Sequence, residues 1–471
     1  MIYIQSMLIY LPALAIGFLL VHLIWPERSL LILLFKAILG IGAGLGLTSL
    51  LYFFVLLINP VGFPFLTLQI VILLVLLFIT IRYEHSTRHA TRAALHVPPP
   101  TQHASRITNY ALLILLLSLI ITIASFINFS IRRDQGGFDA WMIYNRAARF
   151  IYRDTVNWRA TLSPDLYSGS HADYPLLVPA NVAWAWASLG AENIRVSLAQ
   201  SGLFLFGCIG LLFTALAQVR SIGQASLATI ILMSFSGFIR DGSSQTADVP
   251  LAFYILASIV LLYLAIQHNN RSLFVLSGFM AGLAGWVKNE GLLVIAISLL
   301  MLFFFCIKQK SIHSFFQFIA GVFFPALVIA YFKVALAPPG DLFVGSLSEN
   351  FSKVVDPARY SLILQFIFHE ILYYGGWPFS LVLSLLVYGF VFGFHLPKDF
   401  RKAFGVVLAI IGMQLIGYIG IYLITPYDLQ WHLTTSLGRT ILQVFPSLLF
   451  LFFASIRDFG NLFESHKVIE S

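Results

Sequence analysis

This 471-residue sequence has little charge: Asp, Glu, Lys and Arg together make up 10% of it. A soluble domain carries about 25%, so most of this chain's surface does not face water. The rest of the composition agrees, with 59% hydrophobic residues and a mean hydropathy of +0.89. Cysteine is scarcer still, with two in the whole sequence. Cys208 and Cys306 each sit inside an apolar run, which excludes a disulfide framework or a cysteine metal site. The sequence also lacks HExxH, a Walker A loop, GxSxG and a dinucleotide fingerprint. Nucleotide-driven transport and a membrane serine or zinc protease are therefore disfavoured. The net charge of +8 has a plain source in the Lys and Arg of cytoplasmic loops, and no nucleic-acid partner is expected.

What is present is apolar sequence in long stretches. Backbone groups inside hydrocarbon must bond one another, which leaves helices or a closed barrel. The runs Leu68–Ile81, Leu112–Ala124 and Leu292–Ile307 decide for helices, because barrel strands alternate polar and apolar residues. The expected fold is therefore all-α and polytopic. Windows of about 20 apolar residues fall near 2–25, 29–58, 64–82, 107–130, 195–219, 222–239, 247–267, 272–288, 291–308, 314–336, 369–394, 403–424 and 437–456, about thirteen spans. The 272–288 window is short and glycine-rich, as where membrane helices pack closely. No positive stretch precedes the first run and no small-residue cleavage site follows it, so it is expected to span rather than to be a signal peptide.

Orientation follows from the loops. Arg82–Arg106 is basic, rich in histidine and interrupted by prolines, and the positive-inside rule makes it cytoplasmic. Ile131–Arg195 is then external and ends in YPLLVPANVAWAWASLG, Tyr174–Gly190. If that segment crossed, Lys308, Lys310, Lys398, Arg401, Lys402 and Arg457 would all fall outside. A short helix in the external interface, with Trp184 and Trp186 at the headgroups, keeps them inside together with Arg220 and Arg271. Nearly every carboxylate or histidine next to an apolar run then gathers on the external side.

Five segments there carry residues suited to chemistry. In Gly136–Asp154, Asp139 follows a Gly-Gly turn at a helix start, an N-cap position. Trp141, Tyr144, Ala148 and Ile151 share one helix face, and Arg146, Arg149 and Arg153 another, which describes an amphipathic interfacial helix. In Ser168–Pro179, His171, Asp173 and Tyr174 cluster. In Ile239–Tyr254, Arg240, Asp241 and Asp248 occupy a short turn, where Asp248 also suits a cap. In Gly282–Val294, Lys288, Asn289 and Glu290 interrupt an apolar hairpin, and charges at such depth mark a functional site by default. Ile424–Gln443 supplies Tyr427, Asp428, Trp431, His432 and Arg439, the last needing an anionic partner. The loop Pro338–His369 is expected to cover such a site as a lid.

Together these segments resemble the C-type membrane glycosyltransferases, the superfamily of protein O-mannosyltransferases, the lipid A aminoarabinose transferase and the oligosaccharyltransferases. The resemblance is carried by DAW and NxxARF (Asp139–Trp141, Asn145–Phe150), HxDYP (His171–Pro175), DxPLAFY (Asp248–Tyr254), KNEG (Lys288–Gly291) and TPYDLxWHLxTSxxR (Thr425–Arg439), and runs from about Ile107 to Arg457. It implies two amphipathic juxtamembrane helices in the first large external loop. It divides the chain into an N-terminal three-helix membrane segment (1–82), a cytoplasmic loop (83–106), a catalytic membrane module (107–457) and a cytoplasmic tail (458–471).

The resemblance also implies the chemistry. A polyprenyl-phosphate-linked sugar enters from the bilayer, and an acceptor hydroxyl on a glycan, lipid or protein attacks the anomeric carbon with inversion. Asp139 is the expected general base. Lys288, Arg439, Arg240 and His432 are expected at the donor phosphate, and Asp248, Glu290, His171, Asp173 and Tyr174 at the sugar, the acceptor or the cations. No cofactor is certain; if a divalent metal takes part, Asp139 and Asp248 are its ligands. The expected location is a bacterial inner (cytoplasmic) membrane, with the site on its periplasmic face. The alternative is a transporter, flippase or ligase for a lipid-linked glycan. A transporter would bury its charges between inverted repeats near the midplane, and no repeat is evident.

Overall fold

The computed structural model describes residues 2–58, 64–87, 102–166, 171–340, 346–377 and 379–457. It is all-helical, with no strands among the described residues. In chain order the helices are α1 (Ile2–Leu8), α2 (Leu11–Ile24), α3 (Leu30–Ile58), α4 (Phe65–Thr87), α5 (Gln102–Arg132), a π-helical turn (Ala140–Tyr144), α6 (Asn145–Arg153), α7 (Leu177–Leu189), α8 (Ile194–Val219), α9 (Ile222–Ser234) and α10 (Ser236–Ser243). There follow α11 (Asp248–His268), α12 (Arg271–Val287), α13 (Glu290–Lys308), α14 (His313–Ala335), α15 (Leu347–Val354), α16 (Pro357–Tyr373), α17 (Leu381–Phe392), α18 (Arg401–Ile424) and α19 (Leu429–Ser455). Among the described residues ten helical stretches are long and apolar enough to cross a membrane, one of them running from Gln5 in α1 through α2 to Ile24, or up to twelve if each bent pair is one span.

The expected spans are met, and three of them take an altered form. The 222–239 span is broken into α9 and α10, bent by 66°. The 369–394 span is likewise a bent pair, α16 and α17. The 272–288 span is α12, only 17 residues long, or about 25 Å of helix at 1.5 Å per residue. Its glycines serve close packing, as expected. A Cβ at Gly278 would collide with the backbone of Phe318 on α14, and one at Gly282 would lie 2.8 Å from Pro325.

Helix α11 forms the axis. Of its most apolar window 94% is buried within the protein, against 11% for α5. Neighbours α8, α12, α18 and α19 pack around α11, while α5 keeps large apolar side chains such as Leu113, Ile121 and Ile127 exposed. That arrangement fits a lipid-facing rim around a protein-facing centre.

The first loop holds the two expected short helices, and the second differs in character from expectation. On α7 every residue from Leu177 to Trp186 is buried, so it has no lipid-facing stripe. The indole of Trp184 donates to Asn181 Oδ1 at 2.9 Å and that of Trp186 to the Asn193 carbonyl at 2.8 Å. These are protein partners rather than headgroups. At 13 residues the helix is too short to span, consistent with a non-crossing segment. Helix α6 does bury one face, with Asn145, Ala148 and Ile151. The π-helical turn before it adds a residue and rotates Trp141 off that face, so Trp141 is exposed against Phe138. Arg149 and Arg153 do not reach outward alone; both pair with Glu192. The guanidinium of Arg153 holds the Glu192 carboxyl below its usual range.

The expected lid, Pro338–His369, is largely helical where described. α16 lies against α18 and α19, with Arg359 donating to the Tyr422 carbonyl at 2.9 Å. Residues 341–345 of that loop, 88–101 of the expected cytoplasmic loop and all of the 458–471 tail lie outside the described residues.

Candidate active site

Successive spanning helices alternate in direction, so the start of α11, the end of α12, the start of α13 and the end of α14 meet at one end of the bundle. Asp248 is the first residue of α11, and its side chain is 1% exposed. It does not cap its helix. Its Oδ1 accepts from Lys288 Nζ at 3.0 Å and Gln443 Nε2 at 2.8 Å, and its Oδ2 from Arg439 Nε at 2.9 Å and Nη2 at 2.6 Å. A carboxylate so enclosed is tolerated only because four donors replace the water it gave up.

Two helix ends make this convergence possible. α12 stops at Val287, Lys288 is extended (φ −159°, ψ 156°), and α13 begins at Glu290. The break turns Lys288 inward, 2.7 Å from Glu290 Oε1 and 5.9 Å from the centre of the Tyr174 ring. The two do not merely neutralise each other, since Lys288 also joins Asp248. Meanwhile α19 begins at Leu429, capped by Asp428, eight residues ahead of the expected start. Arg439 therefore lies ten residues into the helix, about 15 Å along it. The early turns of α19 form a small apolar cluster of their own with Ile363 and Tyr422. That cluster rises beyond the start of α11 and walls one side of the site.

Asp139 enters from the first loop. It sits just before the π-helical turn with helical φ and ψ, and its side chain makes no cap bond. Its carboxylate accepts from Arg439 Nη2 at 2.5 Å instead. The loop is fixed to the α10–α11 turn: Gly137 N donates to the Ser244 carbonyl at 2.9 Å, Gln245 Nε2 to the Asp134 carbonyl at 2.9 Å, and Asn145 Nδ2 to Gln245 Oε1 at 2.9 Å. Gly136 takes φ +80° there, a conformation that glycine adopts without strain.

The result is one continuous chain of ionised contacts, Asp139–Arg439–Asp248–Lys288–Glu290. Asp173 and Tyr174 adjoin it. Asn289 Nδ2 donates to Asp173 Oδ2 at 2.7 Å, and Lys333 Nζ donates to the Asp173 carbonyl at 2.5 Å. His171 stacks on Tyr174 with ring centres 4.6 Å apart. The remaining two expected phosphate ligands stand off from the chain. Arg240, with a side chain 56% exposed, pairs with Asp241 at 3.6 Å. His432 is half-buried at the first turn of α19, its Nδ1 2.9 Å from Thr425 Oγ1 among Tyr422, Tyr427 and Trp431.

Three partners were not anticipated. Gln443, which also accepts from Tyr418 at 2.7 Å, is an uncharged residue inside an apolar helix. Lys333 lies at the end of an apolar run, where its charge was a usable signal. Asn289 was visible in KNEG, but its bond to Asp173, 116 residues away, was not.

Asp139 and Asp248 do not fit a metal site as they stand. Both carboxylates converge on Arg439 Nη2, a fixed cation where a metal ion would have to sit. Among the described residues no group of three or more His, Cys, Asp or Glu is arranged to hold a metal.

Residues 173–332, about a third of the chain, match the family described as dolichyl-phosphate-mannose-protein mannosyltransferase. That match supports a membrane glycosyltransferase of the C type. The match bears out the resemblance drawn from the motifs. It spans Asp173, Asp248, Lys288 and Glu290, while Asp139 and Arg439 lie on either side of it. No curated protein and no solved structure matches the chain.

Proposed function

We propose that this glycosyltransferase moves a sugar from a polyprenyl-phosphate-linked donor to a hydroxyl of a glycan, lipid or protein acceptor, with inversion at the anomeric carbon. The 107–457 segment is its catalytic module. The observation that carries the reading is the unequal exposure of two carboxylates on one arginine. The Asp139 side chain is 23% exposed and that of Asp248 1%.

Only Asp139 is open to an incoming acceptor, so it serves as general base. Asp248 is enclosed and orients Lys288 and Arg439. Those two cations stabilise the charge that grows on the departing phosphate, in a pocket with little water. Glu290 holds Lys288 in place. Arg240 and His432, at the approach to the site, meet the donor phosphate on its way in. His171, Asp173 and Tyr174 orient the sugar or the acceptor.

The face follows from charge. Lys308, Lys310, Lys398, Arg401, Lys402 and Arg457 belong to the end of the bundle away from the site, and such residues favour the cytoplasm. The site is then external, which in a bacterial inner membrane means periplasmic. A lipid-linked donor reaches it sideways from the outer leaflet.

Purified Asp139→Asn and Lys288→Ala proteins, assayed with polyprenyl-phosphate sugars, test the assignment. Asp139→Asn is expected to lose turnover while still binding donor, and Lys288→Ala to lose donor binding. Near-normal turnover in both removes the reading.

A further inference from the structure

Arg439 holds its two carboxylates unequally. Asp248 accepts from both Nε and Nη2, whereas Asp139 accepts from Nη2 alone. The Asp248 contact is shut inside the bundle, and the Asp139 contact is on the side that solvent reaches. A ligand arriving at the site therefore competes for the Asp139 bond and not for the Asp248 bonds.

The charge balance sharpens the point. Three carboxylates (Asp139, Asp248 and Glu290) face two cations (Lys288 and Arg439), so one negative charge is in excess. A phosphate joins this chain of contacts only if a carboxylate gives up its cation or its charge. Asp248, with four donors, does neither. Asp139 can do both. Asp241 on α10 also lies near Arg439, but it has its own partner in Arg240 at 3.6 Å and leaves the excess unchanged.

We propose that Arg439 exchanges partners during the reaction, from Asp139 to the departing phosphate, and that protonation of Asp139 is what frees it. This rests on the reading of Asp139 as base and Arg439 as a phosphate ligand. The step balances as follows. The acceptor O–H bond breaks and its proton passes to Asp139, which becomes a neutral carboxylic acid. The acceptor oxygen bonds to the anomeric carbon. The bond from that carbon to the phosphate oxygen breaks, and its electron pair leaves on the phosphate. The donor phosphodiester carries one negative charge and the released monoester carries two. The second phosphate charge thus appears in the step that removes the charge of Asp139. Anchored by Asp248, the guanidinium keeps its place while its outer nitrogen changes partner, so no cation is left unpaired in a dry site.

The exchange predicts an outcome that loss of a base alone does not. Full-length Asp139→Asn and Asp139→Ser proteins, each checked for a normal thermal transition, are titrated with farnesyl monophosphate and with its singly charged methyl ester. In both variants the monophosphate should bind about tenfold more tightly than to the wild type, because a charge-assisted competitor for Arg439 has gone. The methyl ester should gain less, and turnover should be lost. Lost turnover with monophosphate binding unchanged or weakened overturns the exchange and leaves the base assignment standing. Near-normal turnover in both variants overturns the two together.

Discussion

The two ends of this helical bundle solve the same electrostatic problem in different ways. At the site end, Lys288 and Arg439 are met by Asp139 and Asp248 from distant parts of the chain, and Lys288 by its neighbour Glu290 as well. At the other end, several basic side chains find backbone carbonyls instead. Arg220 Nε donates to Ala454 O at 2.8 Å, beside the last turn of α19, and Arg220 Nη2 donates to His395 O at 2.7 Å. Lys36 Nζ donates to Glu27 O at 2.5 Å. A cation among the free carbonyls at a helix C-terminus is a local, largely structural device. A buried chain of alternating charges drawn from five elements is not: it costs desolvation at every member and is weak evidence for stability. On the proposed function, the site end is the one where charge is kept for chemistry.

Several substitutions break or sharpen this contrast. The largest effect is expected from Asp248→Ala. It strands Lys288 and Arg439 without their shared partner, and breaking a buried pair costs about 3–5 kcal/mol. The thermal transition should fall markedly along with activity; a variant as stable as the wild type would mean that the chain of contacts is not formed. Next is Asp139→Asn, for which a turnover loss of about 10²- to 10⁴-fold is expected with a small change in thermal stability, since that side chain is partly exposed. Comparable destabilisation by the two would erase the distinction drawn between base and orienting residue. At the opposite end, Arg220→Ala should cost about 1 kcal/mol and leave turnover intact, and a turnover loss without unfolding would give that end a share in the chemistry.

The smallest effect concerns the tie between Glu192 and the arginines of α6. Because the Glu192 carboxyl is held below its usual range, the tie is complete above the range in which a free carboxylate titrates. It is lost as pH falls through the lowered value. Hydrogen exchange in 145–153, corrected for intrinsic rates, should rise at acid pH in the wild type. In Glu192→Gln it should already be raised at neutral pH; identical profiles would remove the tie.

Much of the site was legible because charge inside an apolar sequence is conspicuous. Lys288, Glu290 and Arg439 each interrupt a hydrophobic run, and the need of Arg439 for an anion was readable before any partner was known. Which anion was not readable. Asp139 lies 300 residues away, and both it and Asp248 read equally well as helix caps, a role the structure gives to neither. Gln443 and Tyr418 were hidden for the opposite reason, since uncharged polar residues are common in membrane helices. The spans were legible from length and hydropathy. The π-helical turn after Asp139 and the full burial of α7 were not. A tryptophan-rich helix looks the same in sequence whether its indoles reach headgroups or the protein interior.

The central claim is that the end bearing the charged chain faces away from the cytoplasm, opposite the basic loops. Single cysteines at Ala191 and at Lys310, in a chain with Cys208 and Cys306 replaced by alanine, can be labelled in intact cells with a membrane-impermeant maleimide. The account predicts that Ala191→Cys reacts from outside and that Lys310→Cys reacts only after permeabilisation. The reverse pattern would contradict it, placing the site on the cytoplasmic face.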